Sequence, residues 1–212
     1  MTRIILARHG ETTWNIEGRY QGQEDTPLSP KGIEQAEMLA EGLRHIHLDV
    51  CISSPLQRSC ETCRRCAELH NLDVQTDSRL LEINHGAWEG VLAQEIAANY
   101  PEEFKMWHTA PHLLQMPQGE SLNDVAERTC AAFADYAENY VGKTVLVVAH
   151  DAVNKAVICR LLGMSLEHFW HIKQDNTCIN VLEYDKGVWR AVLLNSTAHL
   201  GFLFSGVEQA GL

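Results

Sequence analysis

Two stretches of the chain share one layout: Ile4-Ile5-Leu6-Ala7-Arg8-His9 and Val145-Leu146-Val147-Val148-Ala149-His150. Each is a short apolar run, read as a buried strand, that ends on a histidine. In open α/β sheets, ligands bind outside the carboxyl ends of the strands. If these two strands are parallel neighbours, His9 and His150 project into one crevice, with Arg8 beside them. A lone histidine is ordinarily a satisfied or solvent-facing side chain; two at equivalent strand ends, one next to an arginine, form a candidate site. A third apolar run, Asp49–Ser53, leads through Ser54-Pro55-Leu56-Gln57 to Arg58, placed in the first turn of the following helix and able to reach back over the sheet edge. Glu82 stands in a loop-like stretch, Leu81-Glu82-Ile83-Asn84-His85-Gly86, after an apolar pair.

The elements needed to position these residues follow from pattern. Thr2–Ala7 reads as a strand. Ser29-Pro30 opens a helix, since Ser is a good N-cap and Pro suits the first helical position; it runs to about Arg44, with Ile33, Ala36, Leu39, Ala40 and Leu43 on one face. Pro55–His70 reads as a second helix and Leu72–Thr76 as a third strand. Residues 92–141 are mostly helical, broken near Pro101, Pro111 and Pro117. Thr144–Ala149 is a strand and Ala152–Leu162 a helix. Two last strands, near Cys178–Tyr184 and Val188–Leu194, flank Asp185-Lys186-Gly187 as a hairpin. Strands alternating with helices predict an α/β fold, a three-layer α/β/α sandwich with a mostly parallel sheet. One domain, 1–212, is expected, with a helical cap inserted at about 82–142.

Of the 212 residues 45% are hydrophobic and 21% charged, a globular balance, and the net charge is −11. Duplex nucleic acid and anionic membranes both call for clustered positive charge, so neither is expected as a partner. The acidity is uneven: residues 82–142 hold ten acids against two bases, Lys105 and Arg128. A negative rim around a locally positive pocket is the expected consequence. The apolar run after Met1-Thr2-Arg3 falls short of a signal core, no segment is long enough to span a bilayer, and seven cysteines is an odd number. A cytoplasmic protein with free thiols is expected.

Arg8-His9-Gly10-Glu11-Thr12, with Asn15, Arg58, Glu82 and His150, closely resembles the histidine phosphatase superfamily in its phosphoglycerate-mutase-like branch. Gly18-Arg19-Tyr20-Gln21-Gly22-Gln23 and Leu28-Ser29-Pro30-Lys31-Gly32 match that branch too, so the resemblance covers essentially the whole chain in order and spacing. It implies a phosphomonoesterase acting on a small phosphorylated metabolite, with no cofactor and no metal. His9 would be the nucleophile that forms a phosphohistidine, replacing one hard displacement by two easier ones. Arg8 and Arg58 would present donor forks to the phosphate oxygens and His150 a further donor. Asn15, Gln21 and Gly22 would contribute to substrate binding. Glu82 would protonate the leaving alkoxide and then deprotonate the attacking water, which calls for a desolvated carboxyl of raised pKa.

Within the branch, Glu82-Ile83-Asn84-His85-Gly86-Ala87-Trp88-Glu89-Gly90, Tyr100-Pro101-Glu102-Glu103-Phe104, Gly119-Glu120-Ser121-Leu122, Phe169-Trp170 and Leu194–Gly201 look like the metal-independent phosphoserine phosphatases. In those enzymes a histidine three residues after the acid helps recognise the substrate carboxylate. His85 holds that place, with a purely loop-fixing role as the other reading. An α-ribazole-phosphate phosphatase or a broad small-molecule phosphatase is the alternative within the family, and a phospho-ligand-binding pseudo-enzyme the alternative outside catalysis. Two bases in the insertion argue against a mutase, which carries paired arginines there for a second phosphate. The chain departs from many relatives at Asp151, where they carry glycine. Asp151 either caps the following helix or takes part in substrate choice, for example by contacting an amine. Cys60-Glu61-Thr62-Cys63-Arg64-Arg65-Cys66, with His70, has metal-like spacing, but its helical setting favours three buried or half-buried thiols. The C-terminal hairpin and Leu200-Gly201-Phe202-Leu203-Phe204 offer a homodimer interface or finish the core.

Overall fold

Six strands form one sheet in the order β3-β2-β4-β1-β5-β6 in a computed structural model of the chain, which describes residues 1–202. The strands are β1 (Thr2–Arg8), β2 (Val50–Ser53), β3 (Val74–Thr76), β4 (Thr144–Ala149), β5 (Ile179–Asp185) and β6 (Val188–Ser196). The pairs β1–β4, β2–β4 and β2–β3 are parallel, whereas the C-terminal hairpin β5–β6 joins antiparallel to β1. Alternation along the strands divides the core in two. Ile4, Leu6, Val145 and Val147 face one apolar cluster; Ile5, Ala7, Leu146 and Val148 face the other.

The helices α2 (Pro30–Leu43) and α3 (Gln57–His70) cover the second cluster with Leu39, Ala40, Leu43, Cys63, Cys66 and Ala67. On the first face lie α6 (Leu122–Asn139) and α7 (Asp151–Leu161), which contribute Val125, Ala132, Phe133, Val153 and Val157. The expected three-layer sandwich is therefore present. Ile33, placed on the apolar face of α2 by periodicity, is instead exposed, because that helix buries Gly32 and Ala36 against the sheet side. A one-turn helix absent from the sequence reading, α1 (Thr13–Glu17), follows the His9 turn. Helices α4 (Ala93–Asn99) and α5 (Pro101–Thr109) are separated at Pro101. The excursion between β3 and β4 closes with α6, whose buried face returns to the sheet. Among the described residues no helix is long and apolar enough to cross a membrane. Leu203 and Phe204, part of the expected interface, lie outside the described residues.

The first turn of α2 is what seats the loop that follows His9. Ser29 caps the helix, its Oγ accepting from the Gly32 amide at 3.0 Å and donating to Glu11 at 3.0 Å. The Ser29 amide in turn donates to the Glu11 carbonyl at 2.8 Å. A Cβ on Gly32 would overlap the Glu11 carbonyl, so backbone meets backbone with no side chain between. Alanine is ordinarily the better helix former by about 1 kcal/mol, yet here the overlap decides the sign. Gly32→Ala should destabilise by about 2 kcal/mol and lower Tm by roughly 4–8 °C; a variant that melts at or above the parent temperature would show that the contact does not constrain the turn.

Candidate active site

The parallel register pairs Arg8 with Ala149, so the chain leaves both strands at the same height. The His9 amide donates to the Ala149 carbonyl at 3.0 Å. His9 and His150 then stand side by side, ring centroids 5.2 Å apart, both buried. The Nδ1 of His9 lies 2.7 Å from the Gly10 carbonyl. A carbonyl can only accept, so Nδ1 carries the proton and Nε2 keeps its lone pair. Burial first, then the charges of Arg58 and Arg8, hold the His9 pKa well below 6.5, despite the opposing bond to Gly10. The ring is neutral, and thus nucleophilic, at pH 7.

His150 is held by the hydroxyl of Ser54, 2.7 Å from its Nε2. Its Nδ1 has no hydrogen-bond partner. Burial, Arg58 and His9 push its pKa below 6.5 as well. Ser54 sits at the end of β2, where its amide donates to Val148 at 3.0 Å, and sequence reasoning passed over it as part of the lead-in to Arg58.

Arg58 is fully buried in the first turn of α3, as expected. Its Nη1 donates to the Glu24 carbonyl at 2.8 Å and its Nη2 to Gly22 at 2.7 Å. Arg8 donates from Nη1 to the Gln174 carbonyl at 2.7 Å. The Nε–H of each guanidinium is left without a partner. Burial brings the Arg58 pKa down to about 10, which leaves it cationic at neutral pH. Two fixed cations with spare donors describe an oxyanion pocket.

Gly22 and Gln21 serve this arrangement. Gly22 has φ +52°, and a Cβ there would run into the Glu89 carboxylate; its carbonyl is the Arg58 anchor. The Gln21 Oε1 accepts from Thr12 at 2.8 Å and Thr26 at 2.6 Å, bracing the same loop. Asn15 closes a capping box with Thr12, its Oδ1 accepting from the Thr12 amide at 3.1 Å. That turns its amide NH₂ the other way, as a donor.

Glu82 is buried between the sheet and α7. Its Oε1 accepts from the Ile83 amide at 2.9 Å and its Oε2 lies 3.4 Å from the Ala152 amide. Burial, then the negative charge of Asp151, raise its pKa above 4.5 against the pull of Ile83, Arg58 and Arg8. Arg128 clamps the loop from below, donating to the Arg79 and Glu82 carbonyls at 2.8 and 3.2 Å and pairing with Glu120. His85 is buried in an aromatic box, 5.0 Å from Tyr20 and 5.8 Å from Trp107 between ring centroids, and stacked on Trp88. Neither of its ring nitrogens has a partner, and burial lowers its pKa to about 3, so it is a neutral imidazole.

Asp151 does not cap α7. His150 occupies the cap position and Asp151 is the first helical residue. Its carboxylate pairs with Arg8 at 3.5 Å and with Lys155 at 2.7 Å, all three groups buried. Lys155 was missed by sequence reasoning, although its place four residues after an acid in a helical pattern was a readable signal. Of the cysteines on α3, Cys63 and Cys66 are buried and Cys60 is half-buried, its thiol turned to the Ser54 carbonyl. Among the described residues no group of three or more His, Cys, Asp or Glu is placed to hold a metal ion.

The Ser54 bond to His150 is a checkable link. Ser54→Ala should lower kcat/KM for a phosphomonoester about tenfold, the worth of one orienting hydrogen bond, with the fold intact by circular dichroism. An unchanged kcat/KM would mean that His150 needs no such support.

The family model for the histidine phosphatase superfamily (branch 1) matches residues 4–197. Phosphoserine phosphatase 1 of Hydrogenobacter thermophilus is 39% identical over 210 residues, covering 99% of this chain and all of the relative. The adenosylcobalamin/alpha-ribazole phosphatase of Escherichia coli is 34% identical, covering 98% of this chain and all of the relative. Among solved structures, Bacillus stearothermophilus YhfR superposes with a TM-score of 0.91 at 32% identity, over 94% of this chain and all of that one. A phosphoserine phosphatase variant from Entamoeba histolytica, in complex with phosphoserine, superposes with a TM-score of 0.86 at 30% identity and the same coverage. With its strand-end histidines, its two buried arginines and these full-length likenesses, the chain belongs to branch 1 of the histidine phosphatase superfamily and is a phosphatase.

Proposed function

We propose that the protein hydrolyses small phosphomonoesters through a phosphohistidine on His9 Nε2, with L-phosphoserine as its preferred substrate. The observation that carries the mechanism is the Nδ1–H bond of His9 to the Gly10 carbonyl, which commits the ring to the nucleophilic tautomer beside two arginines. The Nε2 lone pair attacks phosphorus in line with the ester oxygen. The P–O bond breaks, and the departing oxygen takes the proton of Glu82. Arg8, Arg58 and the His150 Nδ1–H neutralise the equatorial oxygens as charge spreads over them. In the second half the Glu82 carboxylate takes a proton from water, the water oxygen attacks phosphorus, and the P–N bond breaks. Phosphate leaves, and His9 and Glu82 return to their starting states.

Phosphoserine is favoured by two things: the relatives whose names carry that activity and the His85 ring. A buried imidazole with unpartnered nitrogens is costly unless something bonds it, and a neutral N–H is a suitable donor to a substrate carboxylate. Residues 82–142 carry two bases with which to take up a second phosphate. Arg128 is committed to Glu120 and two carbonyls, and Lys105 is exposed.

Turnover in EDTA should be greatest on phosphoserine among phosphoserine, phosphothreonine, 3-phosphoglycerate and α-ribazole phosphate. A lead for α-ribazole phosphate would transfer the assignment to the other relative. Acid-labile phosphate should be trapped on His9, and a protein that turns over without such an adduct would overturn the mechanism. Glu82→Gln should slow phosphoserine by about 10²–10⁴-fold and p-nitrophenyl phosphate far less, because a phenolate leaves without a proton. His85→Ala should raise KM for phosphoserine by about tenfold or more while leaving p-nitrophenyl phosphate nearly unchanged; parallel losses would make His85 structural.

A further inference from the structure

Asp151 and Lys155 form a buried ion pair that the reaction scheme above does not use. Residues four apart on a helix share a face, and here that face looks into the site. Asp151 Oδ2 lies 2.7 Å from Lys155 Nζ, and Asp151 Oδ1 lies 3.5 Å from Arg8 Nη1. The ammonium is seated over the Trp170 ring at 4.4 Å and the Phe169 ring at 5.1 Å. Trp170 is itself fixed, donating from Nε1 to the Trp107 carbonyl at 2.6 Å. Such a pair is a poor device for stability alone, since apolar residues of similar volume commonly fill a buried site at least as well.

Its setting gives another reason. Glu82 touches the first turn of α7 through the Ala152 amide, and a helix N-terminus favours the ionised carboxylate. The cations around Glu82 reinforce that bias: Arg8 at the end of β1, Arg58 on α3, and Arg128 of α6 on its main chain, while His9 and His150, which also face the site, are neutral. Asp151, on the same helical turn, is the charge that opposes them, and Lys155 opposes Asp151. We infer that Asp151 and Lys155 are a positioning pair for the general acid: Asp151 places a negative charge beside Glu82, and Lys155 limits how much of that charge is felt. This rests on the proposed acid role of Glu82.

The sign follows directly. Without the Asp151 charge, Glu82 faces cations and a helix N-terminus alone, ionises at lower pH and loses its proton sooner as pH rises. Without the Lys155 charge, Asp151 acts at fuller strength and Glu82 holds its proton to higher pH. This direction agrees with the repulsion from Asp151 that raises the Glu82 pKa.

The test is kcat/KM against pH, from 5 to 9, on phosphoserine and on p-nitrophenyl phosphate. The wild type should lose activity on the alkaline side with phosphoserine only. In Asp151→Asn that alkaline limb should move down by about one pH unit, and in Lys155→Met it should move up. Asp151→Glu and Lys155→Arg, which keep the charges, should return it towards the wild-type position. A merely structural pair would leave the alkaline limb unmoved in both single variants or move it the same way in both, and either result overturns the inference. If a single variant fails to fold, the double variant Asp151→Asn with Lys155→Met removes both charges of the pair together, and Arg8 keeps its bond to the Gln174 carbonyl. Its limb should lie below the wild type's because the nearer charge is gone, and an unmoved limb overturns the inference. A wild-type alkaline limb that is the same on both substrates would instead overturn the acid role of Glu82, and the pair's role with it.

Discussion

Everything at the site hangs on the parallel ladder between β1 and β4. Because Arg8 is level with Ala149, two strands far apart in sequence release their histidines at one height, and the ring separation of 5.2 Å follows from strand spacing rather than from any bond between the rings. The ladder also decides what else can reach the site. β2 pairs with the other edge of β4, which brings Ser54 to His150 and starts α3 so that Arg58 points back across the strand ends. β5 pairs with the other edge of β1, and the loop before it delivers the Gln174 carbonyl to Arg8. A slip of one residue in any of these registers would turn a side chain of the candidate site into the core.

The second constraint is desolvation. Arg8, Arg58, Glu82, Asp151 and Lys155 are all buried, and isolated charges in such a place are expensive. For the two arginines the protein meets that cost with main-chain carbonyls: Gly22 and Glu24 accept from Arg58, and Gln174 from Arg8. Carbonyls hold a guanidinium without neutralising it, so Arg58 keeps its positive charge, whereas Arg8 also pairs with Asp151 at 3.5 Å. The same desolvation holds the His9 pKa down and moves the Glu82 pKa up, the directions that the proposed first step calls for. One physical cause thereby acts on both groups in the directions their proposed roles need.

Much of this was legible in the residues. The two strand-end histidines and the β-branched runs before them were enough to place His9, His150 and the parallel sheet, because buried parallel strands are continuous apolar segments and carry a strong signal. Arg58 could be placed in the first turn of α3 from Pro55 and the helical pattern after it. What could not be read were contacts made through space by groups with no pattern of their own. Ser54 looked like a linker residue, the Gln174 carbonyl carries no side-chain signature, and α1 is too short to show periodicity. Of the two readings of Asp151, the helix cap fails for a related reason. An acid after a strand end suggests a cap, but the chain enters α7 one residue earlier, with His150 in the cap position, so the carboxylate is carried round to Arg8 and Lys155.

The acidity of residues 82–142 changes meaning in the same light. Ten acids between residues 82 and 142 suggested a negative rim, a field acting at a distance. Several of them are instead engaged with nearby groups. Glu89 accepts from the Gln23 and His85 amides at 2.9 and 3.1 Å. Glu120 accepts from the Asn84 amide at 2.9 Å and pairs with Arg128. Asp124 completes a capping box with Ser121, and Asp135 pairs with Arg79. Glu89 and Glu120 between them bond three main-chain amides in the segments around the acid and the Arg58 anchor, so part of the net charge is spent holding Glu82 and Gly22 in place. A carboxylate is the strong acceptor for such amides, and an amide-bonded carboxylate projects less charge than a free one. The cost of a positive pocket in a negative chain is reduced because these acids sit where loops need acceptors.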